Sequence, residues 1–96
     1  MMMYEIDKST KTFRQTVRLA IKRGYDMSRL AHTIILLASG IPLPPNYRDH
    51  PLKGNRKGLR ECHVDGAGDW LLIYRKDNKK LILVLIETGT HADLFE

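Results

Sequence analysis

The run Leu81-Ile82-Leu83-Val84-Leu85-Ile86, closed by Glu87, decides the fold. It is apolar on both faces, so it is expected to be the central strand of a sheet, with helices covering one side. It is also the longest strictly apolar run in the chain and falls far short of a membrane span. Just upstream, Asp77-Asn78 marks a hairpin turn, and Trp70 to Lys76 reads as the preceding strand. A second turn at Asp65-Gly66-Ala67-Gly68 leads back to another strand, Leu59 to Val64. Downstream, Thr88-Gly89-Thr90 breaks the run, and His91 to Phe95 reads as a last helical turn or short tail.

Further out, Ile41 to Gly58 holds Pro42, Pro44, Pro45 and Pro51 with two glycines. Prolines this dense forbid a regular ladder, so the segment is expected to be an ordered loop. A loop of this length in a compact domain tends to be functional. Before it lie two helices. Phe13, Val17, Ala20 and Ile21 fall at helical spacing between Lys8 and Arg23, with Gly24 as the stop. Asp26 caps the second helix, which runs through Leu30, Ile34 and Leu37 to Gly40. Tyr4-Glu5-Ile6 is a short strand candidate. The order is β-α-α-β-β-β, an α+β fold with a helical hairpin packed on a small sheet.

The chain has 96 residues, enough for one domain spanning 1–96 and no second one. A domain of this size buries only about two thirds of the surface its unfolded chain exposes. A partner that binds the folded state would therefore raise a thin stability margin. The net charge is +5 and the sequence pI about 9.6, a balance that suits nucleic acid. A solvated basic surface with no ligand explains the same numbers. A single cysteine, Cys62, excludes an internal disulfide and fits a reducing cytoplasm. The start of the chain has early acids and no apolar core, so no signal peptide is expected.

The residues with chemistry to offer lie in the second half. His50 sits in the proline loop, His63 on a strand, Asp69 at the opening of the next strand, and His91 just after the apolar run. Alternation places Leu59, Glu61 and His63 on one face and Arg60, Cys62 and Val64 on the other. Imidazole suits RNA cleavage because it can take a proton from a ribose 2′-hydroxyl or give one to the departing 5′-oxygen near neutral pH. A cation must balance the charge that grows on the phosphorane. A lone histidine is more often a surface or hydrogen-bonded residue. A zinc site is the other reading of three histidines and an aspartate, but no two of them have finger-like or HExxH spacing, so no metal is expected. Lys53, Arg56, Lys57 and Arg60 cluster around interleaved glycines, where they can approach phosphate or simply form a solvated loop. Tyr47, Trp70 and Phe95 can stack on a base, although core packing is the commoner fate of Trp70 and Tyr74. Phe95 has little chain left to bury it. Cys62 reads as a small core residue, and His32 as surface or partner-facing.

The stretch LPPNYRDHPLKGNRKGLRECHV (43–64), then DWLLIY (69–74), then TGTHADLF (88–95), resembles the YafQ branch of the RelE/ParE toxin superfamily. The resemblance is strongest from Leu43 to Phe95. It implies a RelE-like fold with a curved antiparallel sheet. It implies a ribosome-dependent endoribonuclease that cuts mRNA in the A site, leaves a 2′,3′-cyclic phosphate, works in the cytoplasm and needs no cofactor. It also implies neutralisation by a DinJ- or RelB-like antitoxin, with operator DNA met only through that complex and no membrane partner. By motif match His50, His63, Asp69 and His91 take the catalytic positions and Phe95 that of the C-terminal aromatic. His91 is favoured as acid and His50 as base, with His63 and Asp69 orienting. The alternatives are a ParE-like toxin that binds gyrase without catalysis, or a degenerate toxin that acts only as an antitoxin partner.

Two departures from the pattern stand out. The turn before Asp69 is longer and more flexible than the family's, which is expected to loosen the placement of Asp69. Glu87 stands where the family has an arginine facing the phosphate. It reads either as natural divergence, with Arg56 or Arg60 substituting, or as an inactivating change. A carboxylate there is expected to repel phosphate or to draw Lys53, Arg56 or Arg60 away from it.

Overall fold

Local signals in the first forty residues become two helices. In the computed structural model, which describes residues 2–95, α1 spans Lys11–Lys22 and α2 spans Met27–Ala38. The Thr10 hydroxyl accepts from the Phe13 N–H, so α1 begins later than the Lys8 predicted from apolar spacing. Gly24 ends the helix at φ 79°, a left-handed conformation that glycine adopts without a Cβ clash. Asp26 caps α2 by accepting from the Ser28 N–H, as expected. Phe13, Ala20, Leu30 and Leu37 are buried against the sheet. Ile21, predicted on the same face, is 56% exposed, because it lies about 100° around the helix from buried Ala20.

The sheet has five strands: β1 (Glu5–Asp7), β2 (His50–Pro51), β3 (Arg60–His63), β4 (Leu71–Asp77) and β5 (Ile82–Gly89), in the order β1-β5-β4-β3-β2. This α+β layer pair agrees with the expected fold class and corrects it in four places. First, the middle strand is β4; β5 is interior but second in the order. Leu71, Leu72, Ile73 and Tyr74 are fully buried, whereas Ile82 and Ile86 are only half-buried. Second, β1 pairs parallel to β5, so the sheet is mixed; the other pairings are antiparallel. Third, the proline loop does form a ladder, since His50 and Pro51 pair with Glu61 and Arg60. Proline is tolerated because β2 is an edge strand, where a missing N–H breaks no inner hydrogen bond. Fourth, Leu81 lies outside β5 at φ 54°, because the Asp77 carboxylate accepts from the N–H groups of Lys79 and Lys80 at 3.0 Å each and tightens the turn.

The helix-facing side of the sheet carries Cys62, Val64, Leu72, Tyr74, Leu83 and Leu85. A small second cluster of Leu71, Ile73 and Leu94 covers part of the other side. Leu94 belongs to α3 (His91–Phe95), a five-residue helix that follows β5. Among the described residues no helix is long and apolar enough to cross a membrane.

Candidate active site

Strand alternation and register build the site on the side of the sheet away from α1 and α2. His50 pairs across β2–β3 with Glu61, Glu61 across β3–β4 with Ile73, and Ile73 across β4–β5 with Glu87. The next row on the same side runs His63, Leu71, Gly89. A bulge in β5 aligns Glu87 with this face. Leu85 opposes Tyr74 and Glu87 opposes Ile73, so Ile86 is the extra residue. Leu85 and Thr88 both point to the helix side, where Thr88 meets Trp70 and Thr16, leaving Ile86 and Glu87 together on the open side.

The catalytic candidates are brought together around His91. Its backbone N–H donates to Asp69 Oδ1 at 3.1 Å, and its Nδ1 hydrogen bonds to the same oxygen. These contacts, led by the His91 side chain, hold the Asp69 carboxyl below the usual carboxylate range. The His63 ring lies 6.0 Å from the His91 ring and the Phe95 ring 6.1 Å from it on α3. His63 Nδ1 meets the Gly68 carbonyl at 2.7 Å. A carbonyl only accepts, so Nδ1 carries the proton and Nε2 is left with a lone pair when the ring is neutral. His50 shares the face, one row away. Its Nε2 meets Glu61 Oε2 at 2.9 Å and its Nδ1 the Pro51 carbonyl at 3.1 Å. Both nitrogens of His50 therefore face acceptors.

The turn before Asp69 is tied down rather than loose. The Asp65 N–H donates to buried Thr33 Oγ1 at 2.8 Å, Asn46 donates to the Gly66 carbonyl at 3.2 Å, and His63 holds Gly68. His32, expected at the surface, is exposed and lies 3.3 Å from Asp65.

The basic residues divide. Arg56 joins the site: Nη1 pairs with Glu87 at 2.6 Å, Nη2 donates to the Leu94 carbonyl at 3.1 Å, and its guanidinium stands 5.0 Å over the Phe95 ring. Arg60 does not join it. It lies on the helix side, where its Nε donates to Asp49 and to the Tyr74 hydroxyl at 3.3 Å each, so it is no substitute for the family arginine. Lys53 and Lys57 flank the turn at Gly54–Arg56 and are exposed. Tyr47 and Trp70 are buried and so unavailable for stacking, whereas Phe95 is 44% exposed. Cys62 is fully buried, and burial pushes its thiol up to about 12, which keeps it out of nucleophilic chemistry. Among the described residues no three His, Cys, Asp or Glu side chains are grouped to hold a metal ion.

Sequence reasoning missed Glu61. It is 4% exposed, and its Oε1 is the buried side-chain oxygen without a hydrogen-bond partner among the described residues. Its face was legible from alternation with His63. Its role as the anchor of His50 was not, because that depends on β2 pairing with β3.

This fold and this open histidine-bearing face define a bacterial toxin of a type II toxin–antitoxin system. The family described as "Bacterial toxin of type II toxin-antitoxin system, YafQ" matches residues 4–96. The chain belongs to the YafQ toxin family. It is 45% identical over 84 residues to the mRNA interferase toxin YafQ of Escherichia coli (strain K12), covering 86% of this chain and 87% of that protein. It superposes on the crystal structure of YafQ from E. coli strain BL21(DE3) with a TM-score of 0.86 at 39% identity, covering 97% of this chain and 99% of that one. The toxin in the E. coli DinJ-YafQ toxin-antitoxin complex gives a TM-score of 0.84 at 40% identity, over 98% of this chain and 99% of that one.

Proposed function

We propose that the chain is an mRNA interferase that cleaves mRNA in the ribosomal A site and is silenced by a DinJ-like antitoxin. The observation that carries this reading is the His63–His91 pair on the open face, 6.0 Å ring to ring, with Nδ1 of His63 engaged by the Gly68 carbonyl and Nδ1 of His91 by the Asp69 carboxylate. One phosphodiester can reach both rings. His91, backed by the Asp69 carboxylate, is the acid that protonates the departing 5′-oxygen. The Nε2 lone pair of His63 takes the proton from the 2′-hydroxyl, whose attack on phosphorus leaves a 2′,3′-cyclic phosphate. This replaces the sequence-based preference for His50 as base, since neither nitrogen of His50 is free in this arrangement. His50, held by Glu61, orients the chain beside His63. Phe95 offers a ring for a base to stack on.

Glu87 weakens the site. Arg56 stands on this face over the Phe95 ring, and Glu87 pairs with it at 2.6 Å. So paired, Arg56 has less charge to offer the phosphorane, which fits a toxin that leans on the ribosome to orient and hold its substrate. Work in the cytoplasm, and contact with operator DNA only through the antitoxin complex, follow from the same reading.

The test is primer-extension mapping of transcripts after induction without antitoxin, comparing the chain with Glu87→Gln and Glu87→Arg. Cuts within translated codons, strengthening from the parent through Glu87→Gln to Glu87→Arg, are expected. Arrest of DNA replication ahead of translation, with no cuts, would instead indicate gyrase binding.

A further inference from the structure

α3 presents both His91 and Phe95 on only five residues, Leu94 being its buried side chain. A helix of that length does not hold together in water by itself. Its first turn is closed by a reciprocal cap: the Thr90 N–H donates to Asp93 Oδ2 at 2.9 Å and the Asp93 N–H to Thr90 Oγ1 at 3.2 Å. The same Asp93 carboxylate receives both terminal nitrogens of Arg23, at 2.6 and 3.1 Å. Arg23 is the C-cap residue of α1. The guanidinium, with the Thr90 cap behind it, holds the Asp93 carboxyl well below the usual carboxylate range, so the pair stays charged. Between α1 and α3 there is a cleft of about 160 Å³ instead of a packed seam, and the Arg23 fork spans it. On the inner side a Cβ at Gly89 would come within 3.0 Å of both Asp93 Cβ and Oδ2, so Asp93 is confined from that direction as well.

We propose that Arg23, acting through Asp93, is a positioning residue for His91: the α1 terminus holds α3 at the angle that aims the imidazole at the scissile phosphate. The inference rests on His91 being the acid. A half-exposed ion pair adds little to global stability. What it adds is geometry, because a paired fork on a carboxylate fixes direction as well as distance. A small misplacement of a catalytic group can cost about 100-fold in rate.

The experiment measures steady-state mRNA cleavage on programmed ribosomes together with the side-chain NMR signals of His91 in the intact protein. Arg23→Ala is expected to lower kcat about 10- to 100-fold with KM little changed, and to shift or broaden the His91 ring signals while leaving those of His32 in place. Arg23→Lys, which keeps the charge but not the fork, should fall between. Arg23→Ala should add nothing in an Asp93→Ala background, and Gly89→Ala should reproduce the effect from the opposite side. Arg18→Ala, on the exposed face of the same helix, is the control. A normal kcat and unmoved His91 signals in folded Arg23→Ala would overturn the proposal. So would full additivity of the Arg23 and Asp93 changes. Normal cleavage by His91→Ala, with His91 of the parent still responding to Arg23→Ala, would refute the acid assignment while leaving the mechanical link intact.

Discussion

The two faces of the sheet are made from alternate residues of the same strands and do opposite work. On the helix side, Leu72, Tyr74, Leu83 and Leu85 meet Phe13, Leu30 and Leu37 in one apolar core. Polar groups there are matched in pairs: Trp70 Nε1 donates to Thr88 Oγ1 at 2.8 Å, and Thr88 Oγ1 donates to the Leu71 carbonyl at 2.6 Å. On the other side, Leu71, Ile73 and Leu94 form a small apolar floor, with His50, Glu61, His63 and Glu87 standing around it. Here matching is incomplete, since among the described residues Glu61 keeps a buried oxygen without a partner. Cys62 belongs to one face and His63 to the other, one residue apart. The difference teaches that this small domain separates stability from chemistry by strand alternation: one sheet serves both, with the helix layer covering only one of its faces.

The separation can be broken most sharply at His91. Its side chain is exposed and makes its described hydrogen bond to an equally exposed Asp69. His91→Ala is expected to lower mRNA cleavage by about 100- to 10,000-fold, the usual worth of general acid–base catalysis, while the melting temperature stays near that of the parent. His63→Ala should follow it closely. If His91→Ala unfolds the protein as readily as a core truncation, the open face is structural and the division fails.

The converse change sharpens the comparison from the other side. Leu72 is fully buried in the main core. Leu72→Ala should cost about 2–5 kcal/mol by lost burial and a residual cavity, read as a drop in denaturation midpoint. Cleavage per folded molecule should be unchanged when assayed well below the new midpoint. A fall in intrinsic rate would mean that the two faces are coupled through β4.

The smallest effect concerns the helix layer and pH. The Ser28 hydroxyl, and then its N–H, hold the Asp26 carboxyl below its usual range at the start of α2. A carboxyl depressed in the folded state stabilises above its unfolded pKa and loses that contribution as pH falls through the folded pKa. The gap in melting temperature between the parent and Asp26→Ala should therefore be widest near neutrality and shrink below the usual carboxylate range. A gap that widens in acid would show that the charge of Asp26 opposes the fold.

Sequence alone determined the local and the alternating. The stop at Gly24 and the cap at Asp26 bound two helices because each acts within a turn of its own backbone. The placement of Cys62 in the core, with Glu61 and His63 turned from it, follows from the two-residue period of a strand. The surplus of positive charge and the ordered motifs around His50, His63, Asp69 and His91 were equally legible. The tertiary structure alone decided what depends on register across distant segments. An apolar run cannot say whether it is the middle strand or the next one, since both are covered. The pairing of His50 with Glu61, of Arg56 with Glu87 and of Arg23 with Asp93 joins residues 11, 31 and 70 positions apart. No local propensity fixes such pairs. They arise when β2 adds to the sheet edge, β5 takes its bulge and α3 docks beside α1, and each of those events is set by packing rather than by the residues' own preferences.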